Sequence, residues 1–437
     1  DIANLAPRLS VAWQPKALPN TSIRAAFGMF ISPLALSTYN HVADTAPFAP
    51  SFQLLATDPL VGRSIPFEDP WSVFQPTDFR SPFPPFASSD YAPGSDAQFV
   101  LPVFVQEHFS PDFRIGKVQS WNFSIEHQFR NDILVRAAYV GSEGYHLPNV
   151  VERNPGFFSA NGARPLYEPD FTNILQYVSW STASYNALQL TFDKKFSSGL
   201  QFTSNYAYSK NIDSGQPGGG VFGGQLPNPF DSRFNRGLSN LNYPHIWTNF
   251  WVYQLPSFKQ YGTFVKAVLG DWQFSGIWRL QSGDPFSIVG GFGNDNSLAH
   301  TSGDRADLTG QPITTHQGSK SDWLLNYVNV DAFRPNAPGT FGNSPRNFLR
   351  GDKTNVADLG IAKNFPFKER YRVQFRWEMF NAFNRAHFST PANDPSNPSS
   401  FGRITTTKGY GAGAGGAEQD IFGIPGRIMQ FALKFHW

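Results

Sequence analysis

The sequence predicts an all-β fold, an antiparallel transmembrane β-barrel, and three observations carry that expectation. The composition is poor in charge and rich in aromatics without any long apolar run. Segments of alternating polarity recur along the whole chain. The connections between those segments are by turns short and long.

Charged residues make up 16% of the 437 positions and aromatics another 16%, with 43 Phe. A soluble protein carries about 25% charged residues. Mean hydropathy is nevertheless −0.33, and no run approaches the roughly 18 apolar residues of a membrane-spanning helix. Strands of a lipid-exposed barrel give this combination, because each averages an apolar face with a polar one. An aromatic-rich secreted β protein would share the composition, so the decision falls to patterning. Net charge is +2 with no basic block, which points away from nucleic acid. Cysteine is absent, which excludes disulfides, thiolate metal sites and a cysteine nucleophile. The chain opens on Asp1 with no signal peptide, and the strand count below leads us to expect that it begins inside a longer protein.

Eleven alternating segments stand out, each near the roughly 9–11 residues that a tilted strand needs to cross a bilayer. The first two lie near 5–14 and 21–30. Segment 121–129 sets Trp121, Phe123, Ile125 and Phe129 against Asn122, Ser124, Glu126 and Gln128. Segment 133–140 sets Ile133, Val135, Ala137 and Tyr139 against Arg136. After a strand near 186–196, segment 200–208 opposes Leu200, Phe202, Tyr206 and Tyr208 to Gln201, Thr203 and Asn205. In 245–255 the face is ambiguous, since Trp247, Phe250, Trp251 and Tyr253 straddle both registers. Segment 272–281 puts Trp272, Phe274, Trp278 and Leu280 opposite Gln273, Ser275, Arg279 and Gln281. A strand near 355–365 precedes 371–379, where Val373, Phe375, Trp377 and Met379 oppose Arg372, Gln374, Arg376 and Glu378. The last, 427–437, alternates Met429, Phe431, Leu433, Phe435 and Trp437 with Gln430, Ala432, Lys434 and His436.

Any half-buried strand alternates, so the connections discriminate better. The short ones are Pro15–Asn20, Arg130–Asp132, Ser197–Gly199, Pro256–Gly270 and Pro366–Arg370; the long ones cover about 32–117, 141–184, 210–244, 282–353 and 381–425. Loops beyond about 12–15 residues are uncommon in compact domains. Outer-membrane barrels have this asymmetry by construction, with short periplasmic turns and long extracellular loops. Each strand entering a short turn, or reaching the end of the chain, also finishes on an aromatic: Trp13, Phe129, Phe196, Tyr253, Phe365 and Trp437. Aligned in depth, these six are expected to form a periplasmic aromatic girdle. Lys194 and Lys363, on the apolar face two residues before such an aromatic, are expected to reach headgroups with their long stems.

Seven phrases carry a family resemblance: "NLAPRLSVAWQP" (4–15), "VQSWNFSIEHQF" (118–129), "VRAAYVGSEGYHL" (135–147), "YNALQLTFDKKFSSGLQFTSNYAYSKNID" (185–213), "GDWQFSGIWRLQSGDPFSI" (270–288), "FGNSPRNFLRGDKTNVADLGIAKNF" (341–365) and "VQFRWEMFNAFNRAHF" (373–388). In this order the sequence resembles the TonB-dependent receptors, specifically the large Oar-like group with a carboxypeptidase-regulatory-like N-terminal domain. The resemblance implies a single barrel domain over 1–437, about eleven or twelve strands of a twenty-two-strand barrel, with the plug and N-terminal domain lying outside this sequence. It also implies import of a small-molecule, oligosaccharide or peptide substrate across the bacterial outer membrane, driven by the TonB complex acting on the plug. Phe431, Leu433, Phe435 and Trp437 then resemble the C-terminal signal read by the outer-membrane barrel assembly machinery. The remaining partner is outer-membrane lipid. The alternatives are a structural, adhesive or secretion-related barrel and, less favoured, an outer-membrane hydrolase.

No catalytic residue, cofactor site or metal site is assigned. The nine histidines form no HxxxH pair, and there is no GxSxG elbow or phosphate loop. Asp295, Asn296, Asp304 and Asp307 in the stretch 294–307 could offer hard oxygens to calcium, with turn formation the favoured reading. The Gly-rich stretches 215–224 and 409–417 read as outside loops. The segments "PFEDPWSVFQP" (66–76) and "SPFPPF" (81–86) divide evenly between a binding surface and internal packing. Arg279, Arg372, Gln374, Arg376 and Glu378 are expected to face the lumen, since charge at membrane depth is costly unless it meets protein or water.

Overall fold

The computed structural model describes residues 5–34, 39, 57–58, 63–64, 103–164, 166–167, 170–215, 225–290, 295–301, 303–313, 315, 319–367, 371–408 and 426–436. Eleven long strands form one antiparallel meander in which each pairs with its neighbours in sequence. They are β1 (Arg8–Trp13), β2 (Thr21–Ser32), β3 (Gly116–Arg130), β4 (Ile133–Glu152), β5 (Phe171–Ser197) and β6 (Leu200–Asp213), then β7 (His245–Gln254), β8 (Trp272–Gln281), β9 (Thr354–Phe367), β10 (Tyr371–Phe380) and β11 (Ile428–His436). Among the described residues, β1 and β11 are the free edges of this sheet and are not paired with each other.

Register decides which side chains share a face, because residues paired across strands point the same way. Starting from Phe274, the pairs run Tyr253↔Phe274, Tyr253↔Leu200, Lys194↔Phe202 and Ile133↔Lys194 on one side. On the other they run Phe274↔Ile361, Ile361↔Trp377 and Trp377↔Phe431. Further steps, Ile125↔Ala137, Ile23↔Ile125 and Trp13↔Ile23, carry the same face to β1. One aromatic and aliphatic face thus runs unbroken across all eleven strands. Leu9, Val11, Phe123, Leu190, Phe274, Ile277, Phe431 and Leu433 are all exposed; of these only Ile277 belongs to the opposite face.

The pairing resolves the ambiguous strand. Trp247, Trp251 and Tyr253 pair with Leu280, Gly276 and Phe274 on the apolar face, while Phe250 pairs with Ile277 on the other. Two tryptophans of the apolar face cover glycines of the neighbouring strand, Trp121 over Gly141 and Trp251 over Gly276, where any Cβ would collide with the indole. Such aromatic cover replaces the packing that a strand glycine lacks.

The short connections gather on one edge of the sheet and the long ones on the other. Between β5 and β6 the turn is Ser198–Gly199, with φ of 49° and 79°, the paired positive values of a two-residue hairpin turn. A Cβ on Gly199 would also meet Gln254 O at 2.5 Å. The connection Pro256–Gly270 holds more than a turn: a 3₁₀ turn at Lys259–Tyr261 and a helix, α1 (Thr263–Leu269).

On the other edge, two expected loops are partly strand. β4 runs on to Glu152 and β5 begins at Phe171, with Val150, Val151 and Glu152 paired to Tyr177, Gln176 and Leu175. The connection expected over 141–184 is therefore a hairpin projecting past the wall, with a tip of 18 residues between β4 and β5. Its β-branched run Val150–Val151 and Val178 are buried, and strand Val103–Phe109 pairs parallel to the start of β5. Likewise β6 continues to Asp213, where Gly237–Leu238 returns to pair with it.

Candidate functional site

Two surfaces are placed where solute could meet the protein: the polar face of the wall and the layer of long loops above it. The wall face carries the five residues read as lumenal, and register puts Arg279, Arg372, Gln374, Arg376 and Glu378 opposite the apolar side. Arg376 Nη2 meets Glu378 Oε1 at 2.7 Å, and Gln430 Nε2 donates to the other oxygen of Glu378. Gln374 Nε2 donates to Asn364 Oδ1 at 3.1 Å, and Arg279 Nη2 to Gln281 Oε1 at 2.5 Å. Arg279, Gln374, Arg376 and Glu378 are thus held in cross-strand and along-strand hydrogen bonds. Asp193 and Thr203 add a further pair at 2.6 Å on the same face.

Sequence reasoning did not foresee the organisation of the loop layer. Its apolar centre joins segments 282–353 and 381–408 through Phe286, Ile288, Tyr327, Val328, Phe333, Leu349, Phe401 and Ile404. Burying side chains of this size contributes roughly 1.5–3 kcal/mol each, which explains how chain with so little regular structure holds a shape. Buried charge pins this layer to the strand ends. Glu152 Oε1 accepts from the backbone N–H of Asn154 at 2.7 Å and of Ile174 at 2.9 Å, and Oε2 accepts from Asn173 at 2.6 Å. Arg164 approaches the same carboxylate at 3.7 Å and donates to Asn154 O and Thr172 O. Arg346 Nη1 bridges to Asp213 at 2.5 Å and to Asn235 O at 3.2 Å. Arg305 stacks 3.7 Å over the Phe234 ring and donates to its carbonyl; burial, and then the nearby Arg346 charge, lower its pKa to about 10. In the sequence these residues are isolated charges in long loops, with no periodicity to mark them.

In the 294–307 stretch the carboxylates accept hydrogen bonds from the chain itself. Asp295 accepts from Ser297 Oγ and from the N–H groups of Ala299 and His300. Asp304 Oδ2 accepts from Ser297 N and Asn336 Nδ2, and Asp307 Oδ2 from Ala337 N. Among the described residues no three His, Cys, Asp or Glu groups gather where a metal could sit. Segments 66–76, 81–86 and 409–417 lie outside the described residues, as does nearly all of 215–224.

At the loop edge between β9 and β10, a cleft of about 430 Å³ is lined by Asp352, Lys353, Asn355, Asn384, Arg385, Ala386 and His387. His387 is buried and its Nε2 accepts the Asn355 N–H at 3.0 Å, which requires a neutral ring. Burial accordingly lowers its pKa.

At the short-turn edge, Trp13, Phe129, Phe196, Tyr253 and Phe365 are all exposed near the ends of their strands; Trp437 lies outside the described residues. The two lysines of the apolar face are held by protein in place of reaching outward. Lys194 Nζ bonds Asp132 at 3.1 Å. Lys363 is buried, and its Nζ donates to Val268 O at 2.9 Å and Gly270 O at 3.0 Å, the free carbonyls at the end of α1.

An unbroken apolar face, a polar face behind it and loops on alternate connections are the anatomy of a membrane-spanning β wall. A family model for the outer membrane beta barrel domain matches residues 1–430. The chain belongs to this family. It is an all-β outer-membrane barrel domain, placed in the bacterial outer membrane. No curated protein sequence matches it. Among solved structures, the chain is similar to the outer membrane transporter YddB from Escherichia coli, with 9% identity and a TM-score of 0.48 over 99% of this chain and 40% of that one. It is also similar to the copper transporter OprC, with 11% identity and a TM-score of 0.39 over 98% and 38% of the two chains. The Ferric-Catecholate import receptor Fiu from K12 E. coli aligns at 9% identity and a TM-score of 0.39, over 98% and 34%. The barrel domain described here thus spans about 40% of the length of the first of these.

Proposed function

We propose that this barrel domain is part of the wall and outer vestibule of a TonB-dependent importer of the Oar-like group. The observation that carries the reading is the two-faced sheet. Eleven strands present apolar side chains to one side and polar side chains to the other, and among the described residues the sheet is open at β1 and β11. A wall of that breadth belongs to a barrel whose lumen is too wide for its own side chains to fill. In this reading a plug from elsewhere in the full-length protein fills the lumen, and Arg279, Arg372, Gln374, Arg376 and Glu378 face it. The short-turn edge is periplasmic, and Trp13, Phe129, Phe196, Tyr253, Phe365 and Trp437 form its aromatic girdle. The long-loop edge is extracellular and captures substrate. Phe431, Leu433, Phe435 and Trp437 on the last strand are the residues read by the barrel assembly machinery.

The test is made on the full-length protein. Calorimetry should detect binding of the periplasmic domain of TonB, and deletion of the segment preceding the plug should abolish it. A full-length sequence lacking both plug and TonB-binding segment, or an intact protein that TonB does not bind, overturns the transport reading and favours an adhesive barrel.

A further inference from the structure

The connection between β7 and β8 is the one short-edge turn, among those described, that carries a helix, and its placement has a direct physical consequence. Both groups that hold α1 belong to the apolar face. Lys363 Nζ caps the carbonyls of Val268 and Gly270, and Trp272 Nε1 donates to Val268 O at 2.8 Å. The ammonium also sits 4.7 Å from the Trp272 ring and 5.4 Å from the Phe365 ring. The helix is therefore fastened to the outside of the wall, away from the lumen.

Its own apolar residues, and Tyr261 just before it, are exposed among the described residues. Phe264 is 79% exposed, Tyr261 65%, Leu269 54% and Val268 47%. Phe264 and Val268 stand four residues apart on one face of α1, with Leu269 beside them and Tyr261 at the end of the 3₁₀ turn that precedes Gly262. Lys259 and Lys266 flank that face. Apolar side chains on one side with lysines beside them is the pattern of a segment lying in a membrane interface.

We propose that residues 258–271 form an interfacial anchor, with Tyr261, Phe264, Val268 and Leu269 inserted among the phospholipids of the periplasmic leaflet and Lys259 and Lys266 at their anionic headgroups. The occupant follows from continuity: the anchor extends the lipid-facing surface at its short-turn rim, where Tyr253, Trp272 and Phe365 already stand. This rests on the periplasmic assignment of that rim. Lys363 has a defined role in it. A charged group on the apolar face serves as the clasp that holds the anchor at the depth of the headgroups.

The absence of cysteine from this chain permits site-directed spin labelling at single introduced cysteines. The full-length protein, with any cysteine elsewhere replaced by serine, is reconstituted in phospholipid vesicles containing phosphatidylglycerol. Labels at Phe264→Cys, Val268→Cys and Thr263→Cys, the last on the opposite side of α1, are compared with a wall control at Leu433→Cys. Collision with oxygen should exceed collision with a water-soluble nickel chelate several-fold at 264, 268 and 433, and the order should reverse at 263. Replacing Lys363 by Met should raise nickel collision at 264 and leave 433 unchanged. Water-exposed labels at 264 and 268 with a lipid-exposed label at 433 overturn the anchor while leaving the barrel standing. A water-exposed label at 433 would overturn the membrane wall itself.

Discussion

Phe192 and Asn205 stand at equal depth on the two arms of one hairpin but on opposite faces, and substituting each by arginine separates the faces energetically. Phe192 lies six residues before Ser198 and Asn205 six residues after Gly199; the register pairs their immediate neighbours, Phe192↔Ser204 and Thr191↔Asn205. A strand rising about 3.4 Å per residue and tilted about 45° gains roughly 2.4 Å of depth per residue, so six residues reach about 14 Å. That is close to the midplane of an apolar band about 25 Å tall. Phe192 faces outward beside Phe202, ring centroids 5.9 Å apart, and arginine near the midplane of that face costs about 2–4 kcal/mol. At 1.4 kcal/mol per decade the folding equilibrium constant in lipid should fall about 30-fold to several hundred-fold. Asn205 is exposed on the polar face, so Asn205→Arg should stay within about 0.5 kcal/mol of the parent. Urea unfolding of the full-length protein in phospholipid vesicles, followed by heat-modifiable gel migration, reads both. If Asn205→Arg is the damaging variant, the assignment of faces is reversed. Equal behaviour of the two would mean that this hairpin does not meet lipid.

Three further outcomes follow from the loop layer and the sheet. Glu152→Gln leaves Arg164 buried beside a neutral group, a change expected to cost about 3–5 kcal/mol locally; hydrogen exchange should accelerate across 153–175 while the wall stays protected. For His387 the folded pKa lies below the ordinary value near 6.5. The unfolded segment therefore binds the proton first, and stability present above pH 6.5 is lost as pH falls through the lowered value. Protection factors at Asn355 and 386–408, corrected for the intrinsic exchange rate at each pH, should fall on acidification from pH 7 to 5, and His387→Gln should flatten that dependence. Gly276→Val should displace the Trp251 indole, seen as a changed near-ultraviolet dichroism and a weakened β7–β8 pairing, whereas Gly310→Ala, with nothing within 4 Å but φ of 87°, should show only a backbone cost.

Alternation made the wall legible in the sequence. All eleven segments are strands, and the faces read for 121–129, 200–208, 272–281, 371–379 and 427–437 agree with the register. Where alternation is broken, sequence reading was undecided: Phe250 puts an aromatic on the polar side of β7 opposite Ile277, and pattern alone cannot rank it against Trp251. The helix in 256–270 was missed because seven residues are too few to establish a 3.6-residue period. Extension of β4 and β5 beyond the wall was missed for another reason: past Gly141 both faces meet protein or solvent, so two-sidedness no longer marks the strand. Lys363 was read correctly for face and wrongly for partner, since its acceptors are backbone carbonyls of a helix the pattern did not reveal. The pinning charges Glu152, Arg164, Asp213 and Arg346 meet across separations set by tertiary packing, which spacing does not encode.

The most direct test of the account is labelling of intact cells with a membrane-impermeant maleimide. Full-length protein carries one cysteine at a time, at Phe158 or Leu325 on the long-loop edge, or at Lys16 or Ser198 on the short-turn edge. Phe158→Cys and Leu325→Cys should label on intact cells, and Lys16→Cys and Ser198→Cys only after the outer membrane is permeabilised. Labelling of all four on intact cells would contradict a membrane-spanning wall, and the inverse pattern would place the long loops in the periplasm.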